Sequence, residues 1–420
     1  MRSILLLGNY RPTLTLARQL APLGYRIIVT RGGGEGCSEF SRYVSECWDH
    51  PPIEDETSFF AALNSFLRQR PDIEIILPVW EPCVTGLAKH QKHLPQDRVY
   101  ATPSSSIVQQ CLNKMEMVKL AAEVGVPCAK FAIIDSFDEL REAGSRVDYP
   151  FIVRPLASSL PINGRKAVIC HSEDEFKKLL PEWPEGHRSL IVQEYVEGPR
   201  YNVYFAAQHG KPLRLLAAKI LRTHLRDGTG LAVDGLTVDL DDDLKDATEK
   251  LLSALDYTGV GCVQFIVDRA SERLSFLELN PRIAGNHAVP EACGLELSRL
   301  AVDLAEGGGT AEPHFTAKGG KRYAWTYCDL RGLRVALQEQ QIGGPQALSE
   351  FGRLLWLGLR APIHMTWDWR DPVPTLALFA NQIPGLSKFV PSDFKRPVRD
   401  SQDVKGSLPA ASAPLKAQNT

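Results

Sequence analysis

Glu278, Asn280 and Arg282 fall at alternate positions in the run SFLELNPR, and Gln264 stands upstream of them in VGCVQFIV. Together they supply one carboxylate, two amide oxygens and a forked cation. Hard oxygen ligands of this kind suit Mg²⁺, which binds through one or two carboxylates and fills its shell with water and phosphate oxygens. Arg282 adds donors that match a phosphate or an acyl phosphate. The rival reading of the same four residues is a buried polar cluster that ties a hairpin to its neighbour.

Two β-rich runs flanking a polar turn make Val260 to Arg282 a predicted hairpin. The strand period of two puts Phe276, Glu278 and Asn280 on one face, with Leu277 and Leu279 on the other. A turn centred near Ser271 brings Gln264 opposite Glu278, with Cβ atoms about 5 Å apart. Acid and amides would then share one surface.

The elements that must carry this hairpin are those of an ordinary globular chain. It has 420 residues, 44% of them hydrophobic and 23% charged, enough for two or three domains. A net charge of −2 argues against a nucleic-acid binder. The nine cysteines are scattered with no CxxC pair and no zinc spacing, which fits a reducing, cytoplasmic setting. Ile4 to Leu7 is too short for a signal-peptide core, and no run approaches membrane-spanning length.

Ser3 to Leu7, the loop GNYRPT, a helix from Leu14 to Leu23 and a strand from Tyr25 to Thr30 form a β-loop-α-β unit, which predicts a parallel sheet. Residues 1–103 are read as a Rossmann-like domain. Its first turn lacks the dinucleotide fingerprint, and GGGEG at Gly32 to Gly36 follows the wrong strand with the wrong spacing, so it is read as a surface loop. A helical stretch from Ser104 to Gly125 carries Asn113-Lys114. Tyr149 to Arg154 is a strand leading into the loop PLASSLPINGRK, and Leu190 to Val196 is a strand stopped by Glu197-Gly198-Pro199. The loop RTHLRDGTG precedes a helix from Asp241 to Leu255. Residues 310–394, with two amphipathic stretches, are read as a small helical appendage, and 395–420 as a disordered tail. Within the appendage, FGRLLWLGLR is expected to pack into a core, its rival being a membrane-surface helix.

The order of Lys114, Arg154, the QEYV strand, Gln264, Glu278, Asn280 and Arg282 resembles the ATP-grasp superfamily from Asn113 to Gly307. It is most like the ATP-grasp domain of the carbamoyl phosphate synthetase large subunit and, more widely, like carboxylate-amine ligases. The resemblance implies two α+β lobes, residues 104–309, clasping ATP behind the Rossmann-like domain. It implies that Lys114 and Arg154 hold phosphates, and that Gln193 with the backbones of Glu194 and Val196 meets the adenine edge. Ile152 and Leu279 would sandwich the ring. Gln264, Glu278 and Asn280 would bind Mg²⁺ or Mn²⁺, and Arg282 would steady an acyl phosphate. The loop RTHLRDGTG, with Lys219 just before it, would approach the γ-phosphate and the acceptor, making Lys219, Arg222 and His224 candidates for the carboxylate substrate.

The activity so implied is amide formation through an acyl phosphate from small-molecule carboxylate and amine, often by a homodimer. The alternatives are an enzyme that stops at an acyl or carbamoyl phosphate, and a non-catalytic ATP-binding regulator. Two departures bear on this. Arg200, Tyr201 and Asn202 stand where many members have a ribose-binding carboxylate, and the phosphate loop holds Gly164 with Ser158, Ser159 and Asn163 instead of several glycines. Substrate groups are expected from the amino-terminal domain, the RTHLRDGTG loop and the Arg282 to Pro290 segment.

Overall fold

The computed structural model describes residues 2–31, 36–156, 162, 165, 167–228, 230–308 and 314–380. Gly32 to Glu35, the loop residues Ser158, Ser159, Asn163 and Gly164, and the tail from 395 lie outside them.

The amino-terminal domain runs β1 (Ser3–Leu7), α1 (Arg11–Leu20), β2 (Arg26–Thr30), β3 (Glu46–Trp48), α2 (Glu56–Gln69), β4 (Ile73–Pro78), α3 (Glu81–His90) and β5 (Val99–Tyr100). Its described strands form one parallel sheet in the order β3-β2-β1-β4-β5. Every residue of β1 is buried because helices cover both faces, as parallel sheets require. Ile4 and Leu6 meet Leu16 and Leu20 of α1, while Leu5 and Leu7 meet Phe59 and Leu63 of α2. Helix α1 begins at Arg11, earlier than the Leu14 expected from periodicity. Pro12, which needs no amide partner in a first turn, starts the helix there. Gly8 makes this turn possible: its φ is +99°, and a Cβ would lie 2.5 Å from Trp80 Cβ.

Next come α4 (Ser105–Leu112), α5 (Lys114–Glu123), β6 (Phe131–Ile134), α6 (Phe137–Arg141), α7 (Ala143–Arg146), β7 (Phe151–Pro155), β8 (Val168–Cys170), α8 (Glu173–Leu179) and β9 (Leu190–Glu194). The four strands form an antiparallel sheet ordered β6-β9-β7-β8. Val153 and Val192 point into its core with Phe151 and Ile134. Period two then sends Ile152, Arg154 and Gln193 to the other face.

The larger lobe contains β10 (Arg200–Gln208), β11 (Lys211–Thr223), β12 (Ala232–Val238), α9 (Asp242–Ala254), β13 (Gly259–Val267), β14 (Leu274–Asn280), α10 (Ala288–Ala292), α11 (Leu297–Ala305), β15 (Phe315–Thr316) and β16 (Arg322–Ala324). After these come α12 (Thr326–Gln338), α13 (Gly344–Arg360), β17 (Ile363–His364) and α14 (Val373–Ala380). Its sheet runs β14-β13-β10-β11-β12-β16-β17, with β15 beside β11. One face packs on Met117 and Ala121 of α5 and Leu244 and Leu251 of α9. The other packs toward α11 and the amino-terminal domain.

Two expectations change here. Gln264 pairs with Glu278 as expected, yet Phe265 pairs with Phe276, so Leu277 is an extra residue in a β-bulge. Phe276 therefore joins Leu279 in the core, on the face away from Glu278 and Asn280. The region after residue 310 is also more than helical, since β16 and β17 extend the large sheet. Strands of two or three residues show no period. Helix α13 buries Leu354 and Leu357 but leaves Leu355, Trp356 and Leu359 exposed, so FGRLLWLGLR packs through one stripe only. No helix among the described residues is long and apolar enough to cross a membrane.

Candidate active site

Three adjacent strands set a row of oxygen donors. Asn202 of β10 pairs with Gln264 of β13, which pairs with Glu278 of β14, and directly opposed residues share a face. Asn280 pairs with Cys262 on that face and donates its Nδ2 to Glu278 Oε1 at 3.0 Å. Asn202 went unassigned in the sequence, where only its period-two relation to Arg200 could have pointed to it.

Cations from the antiparallel sheet and from the start of α5 close over this row. Arg154 Nη2 lies 3.5 Å from Glu278 Oε2, and its Nη1 donates to Gln193 Oε1 at 3.3 Å. Asn113 caps α5 by accepting the Met115 and Glu116 amides, which fixes Lys114 at the helix start. Lys114 is buried, with Nζ donating to the Pro155 carbonyl at 2.9 Å. Burial pushes the Glu278 carboxyl up, but Arg154, the Asn280 amide, Lys114 and Arg282 outweigh it and hold the pKa below its ordinary value. The acid stays ionised inside the protein. Burial lowers Arg154 and Arg200 in turn, and Glu278 opposes both shifts. Arg200 thus faces the acidic row, with Nη2 donating to the Gly230 carbonyl at 3.3 Å.

The QEYV segment joins the lobes. Gln193 is buried, the Glu194 amide donates to Lys130 O at 2.9 Å, and the Tyr195 amide donates to Pro150 O at 3.0 Å. Beyond Val196, the Val267 amide donates to Pro199 O and the Arg269 amide to Glu197 O. Val196 sits between these two sets of tethers. Gly198 permits the crossing, since a Cβ there would lie 1.8 Å from Val267 O. Ile152 pairs with Gln193 and shares its face. Leu279 lies on the opposite face, next to Glu278 in the regular register with β13, and is buried in the core at 2% exposure. Ile266, half-buried and on the same face as Gln264, takes its place.

Arg282 is gripped by Glu81, the first residue of α3, at 2.7 Å. Burial would lower its pKa, but Glu81 raises it above the ordinary arginine value. The loop candidates fare differently. Lys219 pairs with Tyr201, on the face opposite the Asn202–Gln264–Glu278 row, and its Nζ lies 5.7 Å from the Tyr201 ring. Closeness in sequence to the loop said nothing about strand parity. Arg222 is paired with Asp329 of α12. His224 Nδ1 accepts the Leu231 amide at 3.0 Å, and burial with the nearby Arg331 pushes its pKa down to about 4. Arg222 thus ties its strand end to α12, and His224 braces the loop itself.

The donor set suits a hard cation completed by phosphate oxygens: an ionised carboxylate flanked by the Gln264 and Asn280 amides. Among the described residues no group of three or more His, Cys, Asp or Glu could hold a metal, as expected where only one carboxylate is supplied.

A cation-edged antiparallel lobe closing on the acidic row of a larger sheet, behind a parallel-sheet domain, defines an ATP-grasp fold. Residues 113–312, just under half of the chain, match the family described as carbamoyl-phosphate synthase L chain, ATP binding domain, and it is this stretch that carries the ATP-grasp likeness. It is 26% identical over 276 residues to a formate-dependent phosphoribosylglycinamide formyltransferase of Ignicoccus hospitalis, covering 62% of this chain and 63% of that one. The chain thus spans less than two thirds of that relative's length. Its fold is similar to N5-carboxyaminoimidazole synthetase of Staphylococcus aureus in complex with ADP, with TM-score 0.61, 14% identity, and 81% and 86% of the two chains covered. It is also similar to an L-amino acid ligase of Bacillus licheniformis, with TM-score 0.58, 13% identity, and 73% and 74% covered.

Proposed function

We propose that this chain is an ATP- and Mg²⁺-dependent carboxylate-amine ligase working through an acyl phosphate. A substrate carboxylate oxygen attacks the γ-phosphorus and the bond to ADP breaks. An amine then attacks the acyl carbon, phosphate leaves with the carbon–oxygen bond, and the amine gives up a proton. No protein nucleophile is needed, so the residues act by position and charge. The carrying observation is the contact of Arg154 with Glu278 across the two lobes, with Glu278 kept ionised despite burial.

Each residue has a task on this reading. Mg²⁺, or Mn²⁺, supplies charge neutralisation on the phosphates. Glu278, Asn280 and Gln264 are its ligands. Arg154 and Lys114 hold phosphate oxygens, and Arg154 leaves its partner Glu278 to do so. Gln193 and the backbones of Glu194 and Val196 orient the adenine, with Ile152 and Ile266 as its apolar walls. Arg282, held in place by Glu81, meets the acyl phosphate. The expected setting is a cytoplasmic homodimer.

Pools of small carboxylates and amines, assayed for Mg²⁺-dependent ADP release with product analysis, test the proposal. Amide product is expected. Release of a phosphorylated acid alone would favour the acyl phosphate reading, and no ATP binding with Mg²⁺ present would end both. Glu278→Gln is expected to lower kcat by about 10² or more, the scale seen when one charge-stabilising group is lost.

A further inference from the structure

Beside the acidic row, four buried side chains converge with atoms that make no hydrogen bond of good geometry among the described residues: Arg11 Nη1, Asn286 Nδ2, Tyr323 OH and Trp325 Nε1. The residues are 5%, 6%, 0% and 2% exposed. They come from the first turn of α1, the segment after Arg282, β16 and the residue after β16. Buried polar groups are normally satisfied, so several lacking partners at one place call for a ligand.

The cluster is built rather than accidental. Arg11 Nε donates to the Gly285 carbonyl and Nη2 to Asn286 Oδ1 at 3.4 Å, and its guanidinium lies 3.9 Å from the Trp325 ring centroid and 5.4 Å from that of Tyr10. A Cβ on Gly285 would come within 2.4 Å of Arg11 Nη2, and one on Gly235 within 2.2 Å of the Tyr323 hydroxyl. Bare backbone is needed at both places. Asn286 interacts with the hydroxyls of Tyr204 and Tyr323, so the donors left wholly unmatched are Arg11 Nη1 and Trp325 Nε1. Tyr204 is in line with Cys262 and Asn280, so the cluster adjoins the strand row next to Gln264 and Glu278, about 7 Å along the strands.

The orphaned atoms are donors, with the Tyr323 hydroxyl able to act either way. The acid nearby, Asp234, is engaged by Arg322 through both oxygens, at 2.9 and 2.8 Å. Arg11 opens α1, whose amide ends carry partial positive charge. We infer that Arg11, Asn286, Tyr323 and Trp325 form a recognition pocket for a carboxylate of the organic substrate, separate from the phosphate-binding cations Lys114 and Arg154. This rests on the ligase reading for the word substrate, but the pocket is testable without turnover.

The test uses the full chain, titrated by calorimetry and ligand-observed NMR with acetate, succinate and L-alanine, beside acetamide and succinamide as uncharged matches. MgATP is titrated into the same samples. The expected result is that a carboxylate binds, its amide match does not, and Arg11→Gln and Trp325→Phe each weaken the carboxylate at least tenfold with the MgATP Kd unchanged. Trp325→Phe keeps an aromatic ring beside Arg11 while removing the indole N–H, so it decides the matter if Arg11→Gln fails to fold. Carboxylate affinity unchanged in Trp325→Phe, or none of the three acids bound by the unmodified chain, overturns the pocket. Loss of MgATP binding alone would instead count against the ligase reading.

Discussion

Ile266 and Leu279 look interchangeable as residues, and the fold gives them opposite duties. Leu279 fills the core under the large sheet, while Ile266 faces the slot beside Gln264. Leu279→Ala is expected to cost about 2–5 kcal/mol of stability in urea unfolding. Ile266→Ala should weaken ATP binding with little loss of stability; the reverse pattern would show that Leu279 and not Ile266 meets the nucleotide. His224 offers a pH readout. Its pKa falls from an ordinary value near 6.5 to about 4 in the fold, so the unfolded chain binds the extra proton between those values. Its contribution is complete above about pH 6.5 and is lost as pH falls toward 4. His224→Asn, which keeps an acceptor for the Leu231 amide, should flatten that part of the stability curve. An identical acid slope in the variant would remove His224 as its source. The proposed metal ligands Glu278 and Asn280, with Arg282 beyond them, could be picked out because they keep a fixed local spacing. Lys219 was misread because which face it takes depends on a partner strand.

At the scale of elements, the site depends on a strand-to-strand crossing that spares no room. The segment 197–199 lies against the end of β13, and the Gly198 position cannot take a side chain without moving Val267. Gly198→Ala is expected to shift the lobes relative to each other and raise the Kd for MgATP, while far-ultraviolet circular dichroism stays as it is. Unchanged affinity would mean that the hinge has slack. Sequence marked this stop clearly, through Glu197-Gly198-Pro199, but marked it only as a break. The bulge at Leu277 was invisible for a related reason. A run such as LSFLELN alternates well enough in either parity, and only pairing with Phe265 and Gln264 selects one.

At the scale of the whole molecule, the amino-terminal domain is joined to the segment 366–371. Arg18 of α1 donates to Asp371 Oδ2 at 2.9 Å, to the Asp371 carbonyl at 2.7 Å and to the Thr366 carbonyl at 2.8 Å. Asp371 also accepts from Ser41 Oγ and the Arg42 amide. Breaking one partner of a buried pair is costly, about 3–5 kcal/mol. Asp371→Asn is therefore expected to lower Tm and to speed hydrogen exchange in 11–20 and 363–380 together; faster exchange in only one of them would show that the two segments are not coupled. By itself the sequence determined the parallel amino-terminal sheet, the metal-binding candidates and the order of residues that resembles the ATP-grasp superfamily, because those rest on local period, spacing and residue type. Tertiary structure alone decided that Ile266 and not Leu279 faces the slot, that Lys219 turns away, and that Arg11 meets Trp325. Strand parity and contacts across hundreds of residues are set by packing between distant segments, which no local pattern encodes.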